Sequence, residues 1–185
     1  RDDVVLATKV RQRVRDNPKP NDEGLSRYHI MREIERSLNR LQTDHIDIYW
    51  LHIVDDNTPI EETLRALDDL VRSGKVRYIG CCNFPTWQLI EGLWQSDKAQ
   101  LNRFVASQNQ YSLLNRWEIE PDLAPACKKH NLGIVTYSPL MIGLLTGLFR
   151  HGQTPPIGTP WADTSPYREK FADFMTPQAD QIVQA

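Results

Sequence analysis

Hydrophobic and polar positions along the chain follow two different periods, one typical of strands and the other typical of helices. Short apolar runs with polar ends predict strands whose two faces are both covered. These runs lie at residues 3–10, 46–52, 76–82, 104–108 and 132–137. Between the runs, apolar residues recur every three or four positions, which predicts amphipathic helices. The helical segments are 26–41, 58–76, 85–95 and 120–131.

Residue types at the helix ends agree with these boundaries. Ser26 and Thr58 are predicted N-caps, because a hydroxyl oxygen can accept a hydrogen bond from a free backbone N–H there. Gly74 is typical of a helix C-terminus. Near the end of the chain, Thr176 and Pro177 predict the start of a further helix.

Strands that alternate with helices predict an α/β fold with a parallel sheet and right-handed crossovers. An open doubly wound sheet and a (β/α)₈ TIM barrel both fit this order. The sequence has no G-x-G-x-x-G turn at a strand end, which disfavours a dinucleotide-binding open sheet. We therefore expect an incomplete barrel of five parallel β/α units, since a whole barrel needs eight. Residues 1–185 are expected to form a single domain, truncated at both ends from a longer protein.

Composition narrows the classes of partner. Charged residues make up 25% of the 185 residues, and the net charge of −2 gives no indication of a nucleic-acid partner. No apolar run reaches the roughly 18 residues of a membrane span. The chain has three cysteines, of which Cys81 and Cys82 are adjacent, so a disulfide framework is not expected. A reducing cytoplasm without a membrane partner fits best.

A polar or amphipathic side chain stands at the carboxyl end of every predicted strand. These residues are Lys9, His52, Asn83, Gln108 and Tyr137. Each alone has an ordinary structural explanation: Asn83, for example, could cap the helix that starts near Pro85. In a barrel, however, active sites lie at the carboxyl ends of the strands. Five such groups at equivalent positions therefore favour one active-site mouth.

Five linked motifs carry a family resemblance. They read LATK, RLQTDHIDIYWLH, GKVRYIGCCNF, ASQNQYSLL and GIVTYSPLMIGLLTG, and they span residues 1–150 in unbroken order. This pattern resembles strands three to seven of the aldo-keto reductases, which are NADPH-dependent (β/α)₈ enzymes that reduce aldehydes and ketones. The bacterial oxidoreductases and potassium-channel β subunits are the most similar branch. The resemblance implies NADP(H) as cofactor and a small aldehyde or ketone as substrate.

The resemblance also assigns roles to single residues. Lys9 and His52 match the lysine and histidine of the family's Asp, Tyr, Lys and His tetrad. A lysine lowers the pKa of a neighbouring tyrosine, and a histidine donates a hydrogen bond to the developing oxyanion. Asn83 and Gln108 match residues that hold the nicotinamide carboxamide, and Tyr137 matches the aromatic ring that stacks on the nicotinamide.

The remaining cofactor positions match less uniformly. Ser138, Pro139, Leu140 and Gly143 match the loop whose backbone approaches the pyrophosphate. Cys82 stands where the family usually has a serine, and a thiol is the weaker hydrogen-bond donor. Leu148 stands where a lysine often follows the GLLTG motif, which removes one expected phosphate contact.

Two parts of the family pattern have no match in the sequence: the motif of the second strand, and the eighth strand with the basic segment that binds the adenosine 2′-phosphate. The D-x-A-x-x-Y motif that carries the tetrad aspartate and tyrosine is absent, so we expect these residues alone not to make a competent reductase. A non-catalytic nucleotide-binding regulatory subunit of the channel-β type is the alternative. A metal-dependent hydrolase barrel is disfavoured, because His52 is the one histidine at a strand end and no metal is expected. Open sheet edges would favour association of copies.

Overall fold

Strands and helices alternate in the structure as the sequence predicts. The structure is a computed structural model, and it describes residues 1, 3–13, 19, 21–162 and 172–184. The strands are β1 (Ala7–Val10), β2 (Ile46–Leu51), β3 (Val76–Cys82), β4 (Phe104–Gln110) and β5 (Gly133–Tyr137). The helices are α1 (Arg27–Leu41), α2 (Ile60–Arg72), α3 (Thr86–Ala99), α4 (Leu123–His130) and α5 (Pro177–Gln184). Short 3₁₀ turns lie at Leu144–Thr146 and Ala172–Phe174.

The five strands form one parallel sheet in the order β1-β2-β3-β4-β5. Each strand therefore lies beside the strand that follows it in the chain, and the order does not reverse. In register, Lys9 lies opposite Trp50, Trp50 opposite Gly80, and Gly80 opposite Ala106. This order is typical of an arc of a barrel and not of a doubly wound sheet, in which the order reverses midway.

Four predicted strand boundaries are wrong; of these, β4 ends at Gln110 and not at residue 108, and β5 begins at Gly133 and not at residue 132. β1 begins at Ala7 and not at residue 3. Val4 and Val5 are apolar but exposed, so the hydrophobic pattern there does not correspond to burial in the sheet. β2 ends at Leu51, which places His52 in the first position after the strand.

The predicted helix caps are confirmed in two places and wrong in one. Ser26 caps α1, because its hydroxyl oxygen accepts a hydrogen bond from the N–H of His29 at 3.3 Å. Thr176 caps α5 in the same way. Thr58 does not cap α2: the helix begins at Ile60, and the Thr58 hydroxyl donates instead to the carboxylate of Asp55 at 2.8 Å.

Helices α1, α2 and α3 bury their apolar stripes beside the sheet. The buried apolar residues of α1 and α2 include Ile30, Ile34, Leu38, Leu64, Leu67 and Leu70. On α3, a Cβ at Gly92 would lie 2.9 Å from the ring of Phe104, so this helix packs closely on β4. Tyr49 and Trp50 are successive residues of β2, so their side chains point to opposite faces, and both are buried, which confirms that this strand is covered on both faces.

The chain divides into two units. The first contains residues 1–109 and 122–135, which include β1 to β3 and all of β4 except its last residue. The second contains residues 110–121 and 136–185. In the second unit Leu114, Met141 and Trp161 are part of a buried apolar cluster, and the indole N–H of Trp161 donates to the carbonyl of Ile142 at 2.9 Å. The single domain expected over residues 1–185 stays a prediction.

Candidate active site

One face of the sheet, here called the site face, carries Lys9, Trp50, Cys82, Ala106 and Gln108. Side chains alternate along a strand, and register partners in parallel strands lie side by side. Trp50, Cys82 and Ala106 form a buried apolar cluster, which confirms that they share this face. The polar side chains of the site face are therefore those nearest the carboxyl ends of the strands.

Hydrogen bonds join the carboxyl ends of the first four strands. The N–H of His52 donates to the carbonyl of Val10 at 2.9 Å. The Nδ2 group of Asn83 donates to the carbonyl of His52 at 3.3 Å. The N–H of Asn83 donates to the carbonyl of Gln108 at 3.0 Å. Four of the five strand-end residues expected from the sequence are thus held on one edge of the sheet, since Lys9 precedes Val10.

The backbone at Asn83 explains how its side chain reaches His52. Its φ of +54° lies in the left-handed region, where asparagine is tolerated better than most residues. The chain therefore turns sharply after β3, and the carboxamide of Asn83 folds back toward the neighbouring strand. Residues held in such sparsely populated conformations are frequent at functional sites.

Cys82 lies between Lys9 and Gln108 on the site face. Burial raises the pKa of the Cys82 thiol to about 12, and the positive charge of Lys9 acts in the opposite direction without reversing the shift. The thiol is therefore neutral near pH 7, and its Sγ lies 3.8 Å from Oε1 of Gln108. Cys82 can donate weakly to Gln108, where the more usual serine would donate more strongly.

The other expected cofactor residues belong to the second unit and share one loop. Tyr137 is half-buried at the end of β5, and its carbonyl accepts a hydrogen bond from the N–H of Tyr111 at 3.3 Å. Ser138 follows with a φ of +53°, so the chain turns sharply here as it does at Asn83. Pro139 and Leu140 are exposed at the start of this loop.

The loop then folds into consecutive tight turns. The N–H of Met141 donates to the carbonyl of Ser138 at 2.9 Å, and the N–H of Gly143 donates to the carbonyl of Leu140 at 3.0 Å. Gly143 has a φ of +91°, and a Cβ at this position would lie 3.2 Å from the ring of Phe149. Both the backbone conformation and the lack of space therefore favour glycine.

Sequence reasoning passed over two residues that shape the site face. Trp50 lies opposite Lys9, and its ring covers Gly80 so closely that a Cβ there would meet it. A signal was present: Trp50 stands two positions before His52, and a glycine inside a strand often marks a close approach.

The cavities lined by described residues lie away from Lys9 and His52. Two cavities, of about 180 and 420 Å³, share Asp55 in their linings. The other lining residues belong to loops and helix starts and include neither Lys9 nor His52. Among the described residues, no group of three His, Cys, Asp or Glu side chains could hold a metal ion. Within the same residues, no helix is long and apolar enough to cross a membrane.

Comparison with known proteins places this arrangement in a family. The sequence model of the aldo/keto reductase family matches residues 1–176. The chain belongs to the aldo/keto reductase family. This confirms the resemblance inferred from the motifs, and it makes the five-stranded parallel sheet part of a TIM barrel.

Individual relatives agree with this assignment. The uncharacterized oxidoreductase YrpG of Bacillus subtilis is 47% identical over 149 residues, which cover 80% of this chain and 45% of the relative. A probable voltage-gated potassium channel subunit beta of Arabidopsis thaliana is 36% identical over 155 residues, or 84% and 46% of the two chains. The L-glyceraldehyde 3-phosphate reductase of Escherichia coli K12 is 34% identical over 155 residues, or 82% and 43%. The chain spans about half the length of these curated relatives.

Proposed function

We propose that Lys9 and His52 act in an NADPH-dependent oxidoreductase that transfers hydride between the nicotinamide and the carbonyl carbon of an aldehyde or ketone. The observation that supports this most is the set of hydrogen bonds that holds His52, Asn83 and Gln108 at one edge of the sheet, next to Lys9. A rigid scaffold of this kind is what precise placement of reacting groups requires. Residues 1–185 supply one part of that site.

The residues present fit a nicotinamide cofactor. The carboxamides of Asn83 and Gln108 each carry a donor and an acceptor, which is what the nicotinamide carboxamide needs. Asn83 and Gln108 are fixed to each other by a backbone hydrogen bond, so their side chains have a common anchor. Cys82 would orient Gln108. The family resemblance assigns to Tyr137 the ring that stacks on the nicotinamide.

The loop after β5 would hold the pyrophosphate. Ser138, Pro139, Leu140 and Gly143 lie in this loop of tight turns, and the family resemblance assigns this loop to the pyrophosphate. Gly143 keeps the backbone free of a side chain at this point.

The chemistry of this chain's residues follows from where charge develops. When bound, NADPH supplies a hydride to the carbonyl carbon, and negative charge grows on the carbonyl oxygen. The imidazole of His52 would donate a hydrogen bond to this oxygen. The ammonium of Lys9 would stabilise the negative charge electrostatically and lower the pKa of the group that protonates the oxygen. The tyrosine that the family resemblance expects as that proton donor has no match in this sequence.

A nucleotide-binding regulatory subunit is the second candidate. The Arabidopsis relative, named as a probable potassium channel subunit beta, supports it. Such a subunit needs to bind the cofactor but not to turn over a substrate. The rate of carbonyl reduction therefore distinguishes the two candidates. The presence of both Lys9 and His52 favours the reductase.

The three free, buried cysteines, Cys81, Cys82 and Cys127, support the cytoplasmic location expected from the sequence.

Substitution of His52 in the intact protein tests the proposal. We expect His52→Ala to lower the turnover of an aldehyde about 10²–10³-fold, as loss of one oxyanion donor does, with little change in NADPH affinity. The matched control is His45→Ala, because His45 stands just before β2 begins and pairs with Asp44 at 2.6 Å. Turnover should be measured from NADPH oxidation and affinity from fluorescence titration. Equal turnover in the two variants, or lost NADPH binding with unchanged turnover, would contradict the assignment.

A further inference from the structure

Asp55 lies three residues after His52, in the loop between β2 and α2, and its carboxylate accepts three hydrogen bonds. Oδ2 accepts from the N–H of Leu25 at 2.7 Å and from the hydroxyl of Thr58 at 2.8 Å. Oδ1 accepts from the N–H of Asn57 at 3.1 Å. Burial alone would raise the pKa of Asp55, but these hydrogen bonds outweigh it and keep the pKa below its usual value. Asp55 is therefore ionised near pH 7.

These contacts complete a ring of hydrogen bonds around the ends of β1 and β2. The N–H of His52 donates to the carbonyl of Val10 at 2.9 Å, and the N–H of Gly24 donates to the carbonyl of Arg11 at 2.9 Å. The N–H that Asp55 binds belongs to the residue after Gly24. The Asp55 carboxylate thus joins the loop after β1 to the loop after β2, and both loops are tied to the strands they leave.

The loop after β1 and the loop after β2 approach each other closely at Gly24 and Asp55. Gly24 has a φ of +92°, and a Cβ at this position would lie 2.7 Å from Oδ2 of Asp55. A side chain at Gly24 would therefore displace the carboxylate. The contact depends on a glycine in one loop and an aspartate in the other, which are 31 positions apart in the chain.

We infer that Asp55 is a positioning residue that sets the spacing between Lys9 and His52, an inference that rests on the function proposed above. Lys9 immediately precedes Val10, and both Val10 and His52 belong to the ring. Without the carboxylate, the two loops lose the hydrogen bond between Leu25 and Asp55, and the strand ends can shift. Asp55 itself lines cavities that include neither Lys9 nor His52, so it acts through these residues and not on the substrate.

The test compares four variants of the intact protein. Asp55→Ala removes the bridge, and Asp55→Glu keeps the charge but moves the carboxylate by one methylene. Asp55→Asn keeps an oxygen that can accept from both Leu25 and Thr58, as Oδ2 does, and loses the longer bond from the N–H of Asn57. Glu62→Ala is the matched control: Oε1 of Glu62 accepts from the N–H of Arg27 at 2.9 Å, so it also joins the starts of α1 and α2, but outside the ring.

We expect Asp55→Ala and Asp55→Glu to lower kcat about 10-fold or more, with KM and NADPH affinity nearly unchanged, because small misplacements of reacting groups are costly. Asp55→Asn and Glu62→Ala should retain most of the wild-type kcat. Asparagine lacks the negative charge of aspartate but keeps an acceptor oxygen. A retained kcat in Asp55→Asn therefore shows that Asp55 acts by positioning and not by its charge. If Asp55→Ala does not fold, the comparison of Asp55→Glu with Asp55→Asn remains decisive.

The outcomes distinguish this inference from the proposed function. If wild-type protein reduces aldehydes and both Asp55→Glu and Asp55→Ala match Glu62→Ala, Asp55 does not position the site. A parallel loss of kcat and NADPH affinity in the Asp55 variants would also overturn the inference. If the intact wild-type protein turns over no aldehyde or ketone, the proposed function fails, and the inference about Lys9 and His52 fails with it.

Discussion

Gly80 lies beneath the ring of Trp50, and replacing this glycine with alanine tests how the site face is packed. A Cβ at Gly80 would lie 2.5 Å from Cε3 of Trp50, closer still to Cζ3, and 3.0 Å from the carbonyl oxygen of Ala106. Ordinary carbon–carbon contacts are about 3.5–4.0 Å, so the ring would have to move by about 1 Å. Trp50 is almost completely buried, which leaves little room for this movement.

Two effects of opposite sign determine how much Gly80→Ala changes the free energy of unfolding. Overpacking a well-packed core costs about 1–3 kcal/mol. The lower entropy of the unfolded chain returns about 0.4–1 kcal/mol when glycine becomes alanine. We expect Gly80→Ala to lower the free energy of unfolding by about 1–2 kcal/mol, which corresponds to a fall in Tm of about 2–8 °C for a chain of this size. Thermal unfolding followed by far-UV circular dichroism measures the change.

Gly133→Ala is the matched control, since a Cβ at Gly133 would lie 3.5 Å from Cβ of Ala106, an ordinary contact. This variant should unfold at or slightly above the wild-type temperature. In a Trp50→Leu background, Gly80→Ala should cost less than in the wild type, because the ring is gone and the 3.0 Å contact with the carbonyl oxygen of Ala106 remains. A Gly80→Ala protein as stable as Gly133→Ala, or an equal cost with and without the Trp50 ring, would refute the packing described for the site face.

Two further predictions concern buried polar groups. The hydroxyl of Tyr49 is buried and has no hydrogen-bond partner among the described residues, so Tyr49→Phe should leave the free energy of urea unfolding unchanged or raise it by up to about 1 kcal/mol; a loss above that size would show that the hydroxyl is bonded. Asp68 is buried, which alone raises its pKa, but hydrogen bonds from Asn102 and Arg72 outweigh burial and lower it. Its stabilisation is therefore present above the unfolded-state pKa, near 3.8, and is lost as the pH falls through the lower folded-state pKa. The stability difference between wild type and Asp68→Asn should shrink over that acid range in urea unfolding measured at several pH values, and a constant difference would contradict the assignment.

The sequence by itself determined the strands, their order and the residues at their carboxyl ends. Apolar runs report burial directly, because a strand covered on both faces must be apolar along its length. The alternation of strands and helices then fixes a parallel sheet, in which the carboxyl ends share one edge. The positions of His52, Asn83 and Gln108 at that edge could be predicted for this reason, and the family resemblance supplied their proposed roles.

The tertiary structure alone decided which distant groups meet. Val4 and Val5 continue the apolar pattern of β1 but are exposed, since burial depends on what packs against a residue and not on its type. Thr58 matches a cap signal, but α2 begins at Ile60, and the Thr58 hydroxyl donates a hydrogen bond to Asp55. The bond between Asp55 and Leu25 joins residues 30 positions apart. Local periodicity carries no information on such a pair, because its two members meet only after the crossover from β1 to β2 has formed.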